Sequence, residues 1–242
     1  MKASKWLQGE AVPEFKSGKI YVVDFWATWC GNCIPFMPHM AELQAQYKDK
    51  GVTCIGFSAG DPDNSEEKVA AFVKRRGPKL KYTFAYADDR TTYDAWITAA
   101  GLEGIPRAFV VDKTGRIAYI GHPVYLGVVL PKVVTGNREA QAVSDEVGQI
   151  VQEWVTVSKA LDGPDKKAGL QALNDFEAKY PAMANNPIIV RTKLSLLPKV
   201  GEIDEAKKVA EAIVAKAVKD DNPSALTRIS HHPSGARAPE LA

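Results

Sequence analysis

Tyr21-Val22-Val23-Asp24-Phe25-Trp26-Ala27-Thr28-Trp29-Cys30-Gly31-Asn32-Cys33 is the stretch whose reading decides the fold. It opens on an apolar run that carries one acid, the pattern of a central strand covered on both faces. The run leads straight into a Cys-x-x-Cys pair at the start of a helical pattern. A strand that delivers two sulfurs to the first turn of a helix sets them at the positive end of the helix dipole. Such a pair can cycle between dithiol and disulfide.

Outward from this point the pattern alternates. Cys33 to about Lys48 reads as a helix that Pro38 should kink, with Met40, Leu43 and Tyr47 at helical spacing and Gly51 as its end. Residues 52–58 read as a strand and 61–65 as a turn. Residues 66–76 read as a helix with Val69, Phe72 and Val73 on one face and Gly77-Pro78 as its stop. Residues 82–87 are a strand, and 91–100 a helix with Tyr93, Trp96, Ile97 and Ala100 facing inward. Strands over 107–112 and 116–121 form a hairpin around Lys113-Thr114-Gly115, and 124–134 is a helix. This order predicts an α/β domain of parallel strands joined by helical crossovers and closed by a hairpin.

The character changes near Gly136. From Arg138 onward no strand pattern is present. Val143, Val147, Ile150, Val151, Trp154 and Leu161 mark one long amphipathic helix, and helices follow over 167–180, 187–200 and 204–219. The expected domains are 1–136, a smaller all-α domain over 137–221, and a disordered tail over 222–242 that includes His231-His232.

Composition narrows the function classes. The 242 residues are 45% hydrophobic and 25% charged, an ordinary globular balance. A net charge of +2 offers no basic face for nucleic acid, and three cysteines are too few for a disulfide-stapled scaffold. No apolar run approaches the ~18–20 residues that span a bilayer. The first ten residues lack an apolar core of signal-peptide length. The chain is therefore expected to be cytoplasmic as written, a mature form, or one whose start lies upstream.

Residues 22–33 resemble the active-site strand and helix of the thioredoxin superfamily. Gly104-Ile105-Pro106-Arg107-Ala108-Phe109-Val110-Val111-Asp112-Lys113-Thr114-Gly115 resembles that fold's proline loop and hairpin. The insertion between the second strand and the hairpin is most similar to the TlpA/ResA-like disulfide reductases. The likeness covers roughly residues 15–135. It implies a thioredoxin-like fold, thiol–disulfide exchange on protein substrates, an external electron donor or acceptor, and an extracytoplasmic setting. No bound cofactor is implied, and no nucleotide, flavin or haem motif is visible.

Within that frame Cys30 is the expected nucleophile, exposed at the helix N-terminus, and Cys33 the resolving thiol one turn in. Asn32 stands where thioredoxins most often have proline, and its N–H is expected to lie near the Cys30 anion. Asp24, buried in its strand, is the expected proton acceptor for Cys33, the role assigned to the matching residue in thioredoxins. No lysine lies in the neighbouring strand 52–58, where thioredoxins often carry one. X-Pro bonds are mostly trans, but the resemblance implies a cis bond at Pro106. Ile105 and Pro106 are then expected to pair with an extended substrate segment, and Trp29 to flank the dithiol as an apolar docking surface. Arg107 is expected either to favour an acidic partner or to point to solvent. Cys54 reads as buried and inert. His39 and His122 are possible neighbours of the site.

In the helical half, residues 196–210 resemble part of a tetratricopeptide repeat: a helix, a Gly turn and an alanine-bearing helix. One unit cannot bury its own face, so the long helix around Trp154 is its expected platform. This half is either a cover for the first domain or a docking surface for a partner protein. Three other functions compete with the leading one. Thr28-x-Cys30 faintly echoes a peroxiredoxin-like peroxidase. Two thiolates and a histidine could carry a metal, although zinc would need two more ligands than the dithiol supplies. An adaptor would use the helical half alone.

Overall fold

A computed structural model describes residues 1–136 and 140–219, in two compact units that meet in sequence at Ala140 and Gln141. The expected tail, with His231-His232, lies outside the described residues.

The first unit opens with a strand the sequence reading missed, β1 (Lys5–Gln8). β2 (Ile20–Phe25) is buried along its whole length, as its apolar run requires. A single 3₁₀ turn, Ile34–Phe36, leads into α1 (Met37–Tyr47). Pro38 therefore lies in the first turn of the α-helix, where its missing N–H is no loss. It starts α1 and does not kink a longer helix. β3 (Val52–Ala59) follows, then α2 (Glu66–Leu80) and β4 (Thr83–Ala87). Ser65 caps α2 through its side chain, with Glu66 and Glu67 in the first turn.

α2 runs on through Gly77 and Pro78, where a stop was expected. Its end is tied from outside. Gln8 Nε2 donates to the carbonyls of Gly77 (2.9 Å) and Tyr82 (2.8 Å). A Cβ at Gly77 would fall 2.2 Å from Gln8 Oε1, so glycine admits this side chain.

α3 (Thr91–Tyr93) passes into a wider π turn over Asp94–Thr98. Ile97 is buried, and Tyr93 and Trp96 pack on the core beside it. Ala100 is exposed, contrary to expectation, because the wide turn breaks the 3.6-residue phase. β5 (Arg107–Val111), β6 (Ile117–Gly121) and α4 (Leu126–Thr135) complete the unit.

The strands order as β1-β4-β3-β2-β5-β6. β2, β3 and β4 are parallel, while β1, β5 and β6 pair antiparallel to their neighbours. This is the helix-flanked mixed sheet that the thioredoxin resemblance implies. One face carries Tyr21, Val23, Phe25, Ile55, Phe57 and Phe109 in one apolar cluster. By alternation Asp24 and Trp26 belong to the opposite face. There the Trp26 indole packs on Phe72 of α2 (ring centroids 4.9 Å apart) and Phe84 of β4 (5.8 Å).

The second unit is helical: α5 (Ala140–Asp162), α6 (Lys166–Lys179), α7 (Pro187–Leu196) and α8 (Ile203–Lys219). Trp154 of α5 packs on Phe176 of α6. Gly201, at φ +91°, turns the chain between α7 and α8, a conformation that favours glycine. α7 contacts both α6 and α8. The helix beside this hairpin is thus α6, with Trp154 reaching it through Phe176. No described helix is long and apolar enough to cross a membrane.

Candidate active site

Sheet register brings the two sequence motifs together. Asp24 pairs with Gly56 on one side and Ala108 on the other, and Phe25 pairs with Arg107. The loop carrying the cysteines leaves the end of β2. The Ile105-Pro106 segment enters β5 directly beside that end.

Cys30 and Cys33 are joined as a disulfide. Both are buried, at 5% and 1% exposure. The expectation of an exposed Cys30 is therefore corrected for this oxidised state. Trp29, 56% exposed, is the side chain that faces solvent. The backbone explains the burial. Cys30 N–H donates to the Ala27 carbonyl (3.1 Å) and turns the chain inward, and Cys33 caps the 3₁₀ turn instead of lying one turn inside a helix. Cys33 N–H also lies 3.1 Å from Cys30 Sγ. An amide at that distance stabilises a sulfur anion. The residue-33 amide, not that of exposed Asn32, makes this contact.

Asp24 is 1% exposed, and its Oδ1 has no hydrogen-bond partner. Burial pushes its carboxyl up to about 8. The missing lysine has a steric counterpart. A Cβ on Gly56, directly across from Asp24, would lie 2.9 Å from the Phe84 ring and 3.1 Å from Trp26 Nε1. Cys54 is fully buried, and burial first, then the Asp24 charge, drives its thiol far above the usual range. That fits an inert residue.

The Ile105–Pro106 bond is cis, as the resemblance implied. Pro106 is buried and Ile105 half-buried. Arg107 does not simply point to solvent: it is half-buried, and its Nε is buried without a partner. Its charge acts on His122 of the β6–α4 junction. His122 Nδ1 accepts from Val124 N–H (3.2 Å), and the ring stands edge-on to Phe36, three residues past Cys33. Burial, then Arg107, lowers its pKa to about 4. His39 is buried within α1.

The low His122 pKa carries a sign. A buried neutral imidazole adds stability that is fully present above the unfolded value near 6.5 and is lost as pH falls toward 4. The full effect is at most about 3 kcal/mol. His122→Asn is expected to flatten this acid limb in urea titrations between pH 7 and 4, and an unchanged limb would refute the assignment.

Sequence reading missed one group. Asn64 is fully buried. Its Oδ1 accepts from Thr28 N–H (2.9 Å) and Thr28 Oγ1 (2.8 Å), while its Nδ2 donates to Ser58 Oγ and the Ala59 carbonyl (both 2.8 Å). Ser58 Oγ in turn donates to the Trp26 carbonyl (2.9 Å). Trp29 Nε1 donates to Asp61 Oδ2 (3.0 Å). The run Asp61-Pro62-Asp63-Asn64-Ser65 signals only a turn, and nothing in it marks a buried amide.

Residues 11–126 match the Redoxin family. The chain is 34% identical to protein FixW of Rhizobium leguminosarum over 144 residues, 58% of this chain and 65% of that protein. It is 35% identical to thiol-disulfide oxidoreductase ResA of Geobacillus thermodenitrificans over 103 residues, 43% of this chain and 54% of that protein. The chain thus spans less than two thirds of the length of these relatives. Among solved structures, a thiol-disulfide isomerase from Corynebacterium glutamicum aligns at TM-score 0.47 and 21% identity, over 55% of this chain and 93% of that one.

Proposed function

We propose that the chain is a thiol–disulfide oxidoreductase acting on protein disulfides, a reading supported by the match of residues 11–126 to the Redoxin family and by the likeness to FixW and ResA. The observation that carries the reading is a closed Cys30–Cys33 pair with an amide donor on the first sulfur, at the end of the strand that buries Asp24.

In the reducing direction the Cys30 thiolate bonds to one substrate sulfur. The substrate S–S bond breaks, and the departing sulfur takes a proton. The Cys33 thiol then gives up its proton to Asp24 in its carboxylate form, which gains population as pH rises toward 8, and attacks Cys30 Sγ. The second substrate sulfur leaves and is protonated. Two electrons and two protons have passed to the substrate, and the chain holds the disulfide. In the oxidising direction the same steps reverse. An external dithiol or disulfide partner completes either cycle.

The Ile105-Pro106 backbone lines up the substrate segment beside the dithiol, and Trp29 offers it an apolar face. Homology to ResA, through the resemblance drawn above, favours work outside the cytoplasm. The hairpin of α7 and α8, whose sequence resembles part of a tetratricopeptide repeat, is either a structural cover or a docking surface for a partner protein. The test is reduction of insulin disulfides by the chain with dithiothreitol. Wild type is expected to accelerate precipitation of the insulin B chain. A Cys30→Ser/Cys33→Ser variant at wild-type rate would refute the reading.

A further inference from the structure

We propose that Asn64 is a positioning residue for the dithiol: it clips the loop that leads into Cys30 onto the end of β3 and so sets where the Cys30 sulfur sits. The inference rests on the oxidoreductase reading, and it assigns the reaction a residue outside both motifs.

The geometry is closed at every polar atom. The Asn64 side chain has two acceptor sites and two donor hydrogens, and all four are used. Two of the bonds go to β3, at Ser58 and Ala59. The other two go to Thr28, two residues before Cys30. A residue that only shaped its own turn would need the β3 bonds and no more. The pair to Thr28 crosses to another segment and fixes both its backbone and its hydroxyl. Ser58 extends the tie to Trp26, so the loop is held at residues 26 and 28 from one buried centre. The same turn reaches residue 29 through Asp61. Asn64 itself is held from behind: its N–H donates to the Asp61 carbonyl (3.0 Å), and the Tyr86 hydroxyl donates to its carbonyl (3.3 Å).

The link to the sulfur is short. Cys30 N–H closes a turn onto Ala27, and the held Thr28 lies inside that turn. Movement of residues 27–30 would swing Cys30 Sγ away from the Cys33 amide, a contact whose value depends on distance and angle. Asn64 and Ser58 are fully buried, so a bond broken on their side leaves a polar group without water to replace its partner.

The experiment compares wild type, Asn64→Ala, Thr28→Val and a control, Val69→Ala, which opens a cavity at a buried α2 residue. For each reduced protein the Cys30 alkylation rate by iodoacetamide is followed against pH. The Cys30–Cys33 potential is measured against glutathione, and stability by urea unfolding. Asn64→Ala is expected to raise the alkylation midpoint by about one pH unit, an approximately tenfold loss of thiolate at pH values well below both midpoints. Thr28→Val should shift it in the same direction by less. Val69→Ala should lose stability with its midpoint unmoved. The proposal is overturned if Asn64→Ala loses stability while its midpoint and potential stay at wild type. If Asn64→Ala does not fold, an unmoved midpoint in Thr28→Val overturns it equally. Wild type inactive on insulin would instead sink the oxidoreductase reading, since the Cys30 titration is read without any substrate.

Discussion

Given a protein disulfide, a Cys33→Ser variant is expected to accumulate a covalent mixed disulfide at Cys30, whereas Cys30→Ser should form none. The asymmetry follows from position. Cys30 is the sulfur that receives an amide hydrogen bond, and it lies next to exposed Trp29. Cys33 is the more deeply buried of the two and precedes the 3₁₀ turn. Without Cys33 the first exchange still proceeds and the second has no nucleophile, so the adduct persists. Without Cys30 there is no activated thiolate to begin. Turnover should fall to background in both variants. Non-reducing electrophoresis and mass spectrometry of the trapped species read the result. Equal trapping by the two single variants would remove the division of labour.

The second large effect concerns Asp24. Its carboxyl is raised from an ordinary value near 3.8 to about 8 by burial. For a group raised in the folded state, the stability it contributes is complete below its unfolded pKa and is lost as pH climbs through the folded one. Between about pH 4 and 8 the folded chain holds a proton that the unfolded chain has released. Wild-type stability should therefore fall across this window relative to Asp24→Asn, by up to about 6 kcal/mol in total. The difference should level off above pH 8. Urea unfolding of the oxidised proteins at pH 5 and pH 9 measures it. In the proposed mechanism the same variant lacks the carboxylate that takes the Cys33 proton, so resolution of the mixed disulfide should slow about a hundredfold near pH 8. A stability difference that does not grow with pH would show that Asp24 is not held neutral.

The sequence displayed the site's chemistry more openly than its supports. The strand that became β2, the acid within it and the cysteine pair lie in one run of sequence, and the proline loop matched a second motif, so both segments could be read in one dimension. β1 could not, since four residues at a sheet edge carry no alternation long enough to register. The same short strand supplies Gln8, whose tie to the end of α2 lets that helix outlast Gly77-Pro78. Local propensity was overridden by a contact from 69 residues away. Ala100 was misplaced because a π turn shifts the helical phase, and periodicity assumes the phase is kept. Cys30 was expected at the surface because a helix N-terminus is normally open, whereas here the turn from Ala27 folds the sulfur inward. Asn64 was invisible because its role is a set of distances between segments that are remote in the chain.

Cys30 as the activated sulfur is tested most directly by alkylation of the reduced protein, resolved by residue. Iodoacetamide labelling between pH 5 and 10, with each cysteine quantified by mass spectrometry, should show Cys30 reacting with a midpoint below about 7.5. Cys33 should label at least about tenfold more slowly at neutral pH. Labelling of both residues at equal rates, with a common midpoint near the ~8.5 of a free thiol, would contradict it.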